Sequence, residues 1–169
     1  RSRARYTSSG HIELTNNYEK TAGEFISASD GNFRPVNLYT GPDGCLYIVD
    51  MYHGIIQEKA YITDYLRGEI LKAGYEKNIG RGRIYRVVRE GVTPGPKPNL
   101  LDASSAELVK HLAHPNGWWR DTSQSLLVTR QDQAVVPSLR EMATVHTSAL
   151  GRLHALWTLN GLGQVDAET

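Results

Sequence analysis

One short stretch, GVTPGPKPNL at residues 91–100, packs three prolines and two glycines between two segments of different hydrophobic pattern. Prolines and glycines at that density interrupt both helix and sheet, so the stretch reads as a linker. Before it, β-branched and aromatic residues alternate with polar ones in short runs. After it, leucines and alanines recur every three or four residues. The first half is therefore expected to be mainly strand and the second helix.

The clearest unit in the first half is FRPVNLYTGPDGCLYIVDMYHGIIQ, residues 33–57. Val36, Leu38 and Tyr39 suit a strand, Gly41-Pro42-Asp43-Gly44 a turn, and Cys45 to Asp50 an antiparallel return. Gly54 to Gln57 predicts a third short strand, and GRIYRVV at residues 82–88 a fourth and outermost one. Four strands in meander order form one blade of a β-propeller. Residues 58–81 form an insertion with a helix that Thr63 caps, Leu66, Ile70 and Leu71 stripe, and Asn78 to Gly80 end. Upstream, RARYT and HIELT flank Ser9-Gly10 as two strands at the tail of a preceding blade. Cys45 sits in the apolar run CLYIV and reads as a buried core residue.

In the second half, Ser104-x-x-Glu107 is a capping box that opens a first helix with Leu108, Val109 and Leu112 on its apolar side. After His114-Pro115-Asn116, GWWRDTSQSLLVTR predicts a second, and residues 134–143 and 148–160 a further pair. Tandem helical hairpins are the sequence form of an α-solenoid of HEAT type. The expected fold class is thus mixed β then α: C-terminal blades of a β-propeller over residues 1–90, a linker over 91–101, and HEAT-like helical repeats over 102–165. A stack of about two such units that then stops is expected to expose an apolar flank and to invite self-association.

Charge narrows the partners. With 19 basic and 18 acidic residues in 169, the net charge is +1, so no strong field directs the chain to nucleic acid. Arg1, Arg3 and Arg5, and then Arg81, Arg83, Arg86 and Arg89, are spaced for a solvated sheet face. No apolar run is long enough to cross a bilayer. The opening RSRARY carries no initiator Met and no secretory signal, and it reads as the inside of a longer protein. There is no CxxCH haem attachment.

The strings FRPVNLYTGPDGCLYIVDMYHGIIQ, GRGRIYRVV and ELVKHLAHPNGWWRDTSQSLL together resemble a family of large bacterial membrane-bound dehydrogenases, over roughly residues 20–165. That family joins a propeller related to pyrroloquinoline-quinone (PQQ) sugar and sorbosone dehydrogenases to HEAT repeats, often with a cytochrome c domain. The resemblance implies oxidation of a sugar or alcohol by bound PQQ, with electrons passing to haem c on other sequence or on a cytochrome partner. It also implies a periplasmic or other extracytoplasmic setting, the remaining propeller blades as partners, and an isolated chain that is inactive. The alternatives are a non-catalytic scaffold or binding subunit, and a structural element that stacks on copies of itself.

Within that frame Arg34 is the leading cofactor-binding candidate. An arginine before Pro-Val at the start of an inner strand is similar to the arginine that quinone-binding propellers direct at the cofactor's carboxylates. Its structural alternative is an ion pair with Asp50 or hydrogen bonds to main-chain carbonyls. Asp50, at the same end of the hairpin, is a candidate to orient Arg34 or to hold a turn. Tyr52, in the next loop, is a candidate to line the mouth or to pack. His53 is the weak candidate for a catalytic base. His111 and His114 lack a carboxylate at ligand spacing, so no metal site is expected. Trp118, Trp119 and Trp157 read as anchors between helices, and Arg120 and Asp121 as capping or inter-repeat contacts.

Overall fold

The computed structural model describes the backbone of residues 2–6 and 12–16, and residues 25–166 throughout. Along the chain lie β1 (Ser2–Tyr6), β2 (Ile12–Asn16), β3 (Pro35–Thr40), β4 (Leu46–Asp50), α1 (Asp64–Ala73), β5 (Arg83–Val87), α2 (Ser105–His111), α3 (Gly117–Arg130), α4 (Val136–Val145) and α5 (Ala149–Gly161). The chain divides into two compact units. One comprises Arg1–Arg34 and Tyr52–Gly80, the other Pro35–Met51 and Arg81–Thr169.

In the first unit β1 and β2 pair antiparallel, from Ser2 opposite Asn16 to Tyr6 opposite Ile12. The Ser9-Gly10 turn expected between them lies outside the described residues. Helix α1 starts where its sequence says it should, because the Thr63 hydroxyl accepts from the Leu66 N–H. It stops well before the predicted Asn78–Gly80. Gly74 takes a left-handed conformation with φ of 68° and returns its N–H to the Ile70 and Leu71 carbonyls, closing the helix a turn earlier.

The second unit holds an open three-stranded antiparallel sheet in the order β3-β4-β5. Residues 41–44 supply the β3–β4 turn, with Gly44 at φ of 79°. Pro35 pairs with Asp50 at one end and Thr40 with Leu46 at the other. Strand β5 then pairs directly with β4, Tyr85 opposite Ile48 and Arg83 opposite Asp50. Ile48 and Asp50 are buried, as is Cys45 beside the turn.

These findings overturn the predicted propeller blade. Gly54 to Gln57 is irregular rather than a third strand, and its residues belong to the other unit. The segment read as an outermost fourth strand is instead the third of its sheet, and among the described residues there is no four-stranded meander. The physical reason is that HGIIQ offers too short an apolar run to form a ladder once Gly54 packs its backbone against Tyr75.

The solenoid is overturned as well. Helix α3 packs on α2 and α5, and α4 packs on α5. All four close around one core that includes Leu108, Leu112, Leu127, Leu139, Ala155 and Leu159. Two helical hairpins sharing one core do not make a repeating stack, which needs about three units to propagate a continuous interior. One local device does recur. The His114 Nδ1 accepts from the Asn116 N–H and Arg120 donates to the His114 carbonyl at the start of α3, while His146, Ser148 and Arg152 do the same before α5. Asn116 and Ser148 are the N-caps.

Candidate functional site

Residues 33–57 place Arg34, Tyr52 and His53 in the first unit and Asp50 in the second. Around the first three, the turn Asp30-Gly31-Asn32 and the end of the α1 insertion supply further polar groups. The Asp30 carboxylate accepts from the Asn32 N–H at 2.9 Å through Oδ1 and from the Tyr52 hydroxyl at 2.7 Å through Oδ2. Asn32 is buried, and its Oδ1 accepts from Asn78 Nδ2 at 3.2 Å. The Asn78 carbonyl lies 3.1 Å from His53 Nδ1. Because a carbonyl only accepts, this contact is made through an Nδ1–H on His53.

Arg34 clamps the same loop. Its Nη2 donates to the Gly54 carbonyl at 2.7 Å and its Nε to the His53 carbonyl at 3.4 Å. The clamp accompanies a strained backbone, for Tyr52 sits at φ of 46°. A bulky residue rarely adopts the left-handed region unless its surroundings hold it there. The surroundings here are the Asp30 acceptor on its hydroxyl, the Arg34 clamp on the next two carbonyls, and Tyr75 packed on Gly54. A Cβ at Gly54 would lie 2.7 Å from Tyr75 Cβ.

Asp50 is only 1% exposed. In its own unit it stands opposite Arg83 on β5, whose Nε lies 3.9 Å from Oδ2. A side chain so covered is closed off from solvent.

A quinone carrying several carboxylates needs cationic donors turned outward to grip it. Arg34 spends two donor nitrogens on main-chain carbonyls, the Tyr52 hydroxyl is turned to Asp30, and Asp50 is covered. These residues do not fit as direct cofactor contacts. Their arrangement instead locks a loop. Asp30, Asn32, Tyr75 and Asn78 complete the cluster; none is a site candidate in the sequence, where Asn78 marks only an expected helix end. Asp30-Gly31-Asn32 just before Arg34 is the one signal that could have marked them, because Asp and Asn flanking Gly build turns by bonding their own backbone.

In the second unit Trp119 is surrounded by His111 and His114, both with ring centroids 5.1 Å away, and by Trp118 edge-on. These are packing contacts. Burial lowers the pKa of His111, and the neighbouring His114 lowers it further. Among the described residues no group of three or more His, Cys, Asp or Glu side chains is placed to hold a metal ion. Nor is any described helix long and apolar enough to cross a membrane.

Comparison with known proteins gives one match. The family described as "Domain of unknown function (DUF7133)" matches residues 2–91, a span that includes β1 to β5 and the whole Arg34 cluster. No curated protein matches. No solved structure matches.

Proposed function

We propose that this chain, which belongs to the DUF7133 family, is a supporting segment of a quinone-dependent sugar or alcohol dehydrogenase assembly, positioning a loop and docking partners rather than supplying the reacting groups. The observation that carries this reading is the Arg34 clamp on the His53 and Gly54 carbonyls. Three of the residues that the resemblance singles out, Arg34, Tyr52 and His53, clamp or form one locked loop, in which the Tyr52 backbone is strained. Strain held by several independent contacts is typical of segments that present groups to a partner or ligand. On this reading PQQ and haem c are held by other sequence or by a c-type cytochrome partner, in an extracytoplasmic compartment.

The test is to isolate the intact complex from its source and ask, by mass spectrometry and absorbance, whether a quinone and a c-type haem accompany the chain. The expected result is that both do. Arg34→Ala is then expected to loosen the 52–54 loop, seen as faster amide exchange, and to reduce quinone retention only in step with that loosening. Loss of quinone from a variant whose loop stays protected would make Arg34 a direct contact. A complex without quinone overturns the dehydrogenase reading.

A second reading, a non-catalytic scaffold or binding subunit, is favoured by α5. Its exposed side, Leu150, Leu153, Leu156, Trp157 and Asn160, carries no charge, and depletion of charge marks the centres of interfaces. A stable protein partner without any cofactor supports this reading. Concentration-dependent self-association would instead assign α5 to contacts between copies.

A further inference from the structure

The Pro/Gly stretch after β5 is tied to the sheet. The Gly95 N–H donates to the Asp43 carbonyl at 2.8 Å, and a Cβ at Gly95 would meet that oxygen at 3.3 Å. The backbone thus approaches the β3–β4 turn as closely as a side chain would allow. Between the strap and the sheet lies a pocket of about 230 Å³, lined by Asp43, Tyr47, Arg86, Pro94, Pro96 and Lys97 among others.

The charges in this pocket do not balance. Asp43 is its one carboxylate, and its oxygens are already engaged: Oδ1 accepts from the Cys45 N–H at 3.1 Å, and Oδ2 from the Tyr47 hydroxyl at 3.0 Å and Arg86 Nη1 at 3.4 Å. Burial works against its charge, but those hydrogen bonds and the Arg86 charge hold its carboxyl below the usual carboxylate range. Arg86 keeps 52% of its side chain exposed, so part of its donor fork faces water. Lys97 is exposed and makes no ion pair among the described residues. Two cations therefore stand against one satisfied carboxylate.

We propose that this pocket binds a small oxyanion, a carboxylate or phosphate group on a low-molecular-weight molecule, with Arg86 and Lys97 as its charge partners. Guanidinium and ammonium groups are the side chains that recognise such groups, one by its planar fork and the other as a point charge. The Tyr47 ring and the alternate prolines give the carbon skeleton of the ligand an apolar wall. That wall loses little freedom on binding, because proline is already fixed in φ. A metal cation is disfavoured, since the lone carboxylate is saturated and the charges of Asp43, Arg86 and Lys97 sum to a positive value. This inference does not rest on the dehydrogenase reading.

The test is a titration of the full chain, uniformly labelled with nitrogen-15, with inorganic phosphate and separately with lactate, at ionic strength held constant by sodium chloride. Saturable shifts of the Tyr47, Arg86, Gly95 and Lys97 amides are expected with one or both probes. Phosphate alone saturating assigns a phosphate group and lactate alone a carboxylate. Lys97→Gln, on an exposed side chain, is expected to weaken binding about tenfold, the loss that one charge-assisted contact represents, with the rest of the spectrum unchanged. Arg86→Gln is expected to weaken it at least as much. Absence of saturable shifts with both probes overturns the proposal, as does equal response to chloride or an affinity that Lys97→Gln leaves unchanged.

Discussion

The indole Nε1 of Trp119 donates to the carbonyl oxygen of Pro42 at 2.8 Å, joining the start of α3 to the turn between β3 and β4 inside one unit. Asn116 adds donors to the same turn, from Nδ2 to the Gly41 carbonyl at 2.8 Å and the Pro42 carbonyl at 3.2 Å. Trp119 is 8% exposed, so its N–H would be an orphan without this acceptor. Trp119→Phe keeps most of the packing and removes the donor, and about 1–3 kcal/mol of stability should be lost. Trp119→Ala should cost about 3–5 kcal/mol, because a cavity is added to the lost bond. Urea unfolding followed by circular dichroism measures both, and a Trp119→Phe variant as stable as the parent would contradict the role given to the N–H.

Gly54 tests the loop. Its missing Cβ would collide with the Cβ and Cγ of Tyr75, at 2.7 and 2.8 Å, and atoms so near the backbone cannot swing aside. Gly54→Ala should therefore destabilise the first unit by about 1–3 kcal/mol through overpacking. Gly68, whose added Cβ meets nothing within 4 Å, is the control. Gly68→Ala in the middle of α1 should instead stabilise by about 0.5–1 kcal/mol. Thermal melts of the two variants should move in opposite directions.

Acid should weaken the helical part. Burial lowers the pKa of His111, with the charge of His114 adding to it, and burial then Arg120 lower that of His154. In both cases the folded chain resists a proton that the unfolded chain accepts. Above the ordinary histidine value of about 6.5 neither state is protonated and no penalty exists. As pH falls through that value the unfolded state gains protons first and stability declines. The melting temperature should drop between about pH 7 and pH 5, and His111→Gln should flatten the slope. An unchanged slope would show that the proton uptake lies elsewhere.

Helix α2 is short, and its start depends on one reciprocal pair. The Ser104 hydroxyl accepts from the Glu107 N–H, and the Glu107 carboxylate accepts from the Ser104 N–H at 2.8 Å. Ser104→Ala should cost about 0.5–2 kcal/mol. Glu107→Gln should cost less, since the amide oxygen still accepts. Hydrogen exchange at the first-turn amides of α2 reads the difference, and identical protection in both variants would argue against the capping box.

How much was legible in the sequence follows the range of each interaction. Thr63, Ser104 and Ser148 sit at helix starts because capping is settled within three residues, and the Gly41–Gly44 turn and the burial of Cys45 follow from equally local chemistry. The Arg34 cluster was visible only in part. Arg34, Tyr52 and His53 stood out as residue types, but their partners Asp30 and Asn32 sit in an irregular turn and Asn78 beyond the α1 helix, segments that carry no periodic signal.

The sequence by itself determined the break between strand and helix, the helix caps and the turn. Tertiary structure alone decided which strand pairs with β4, because pairing is a contest among distant segments and β5 offers a longer apolar ladder than residues 54–57. It also decided that four helices share one core, and that Arg34 spends its donors on carbonyls. A guanidinium follows whichever acceptors the fold brings within reach, and residue spacing carries no record of that distance.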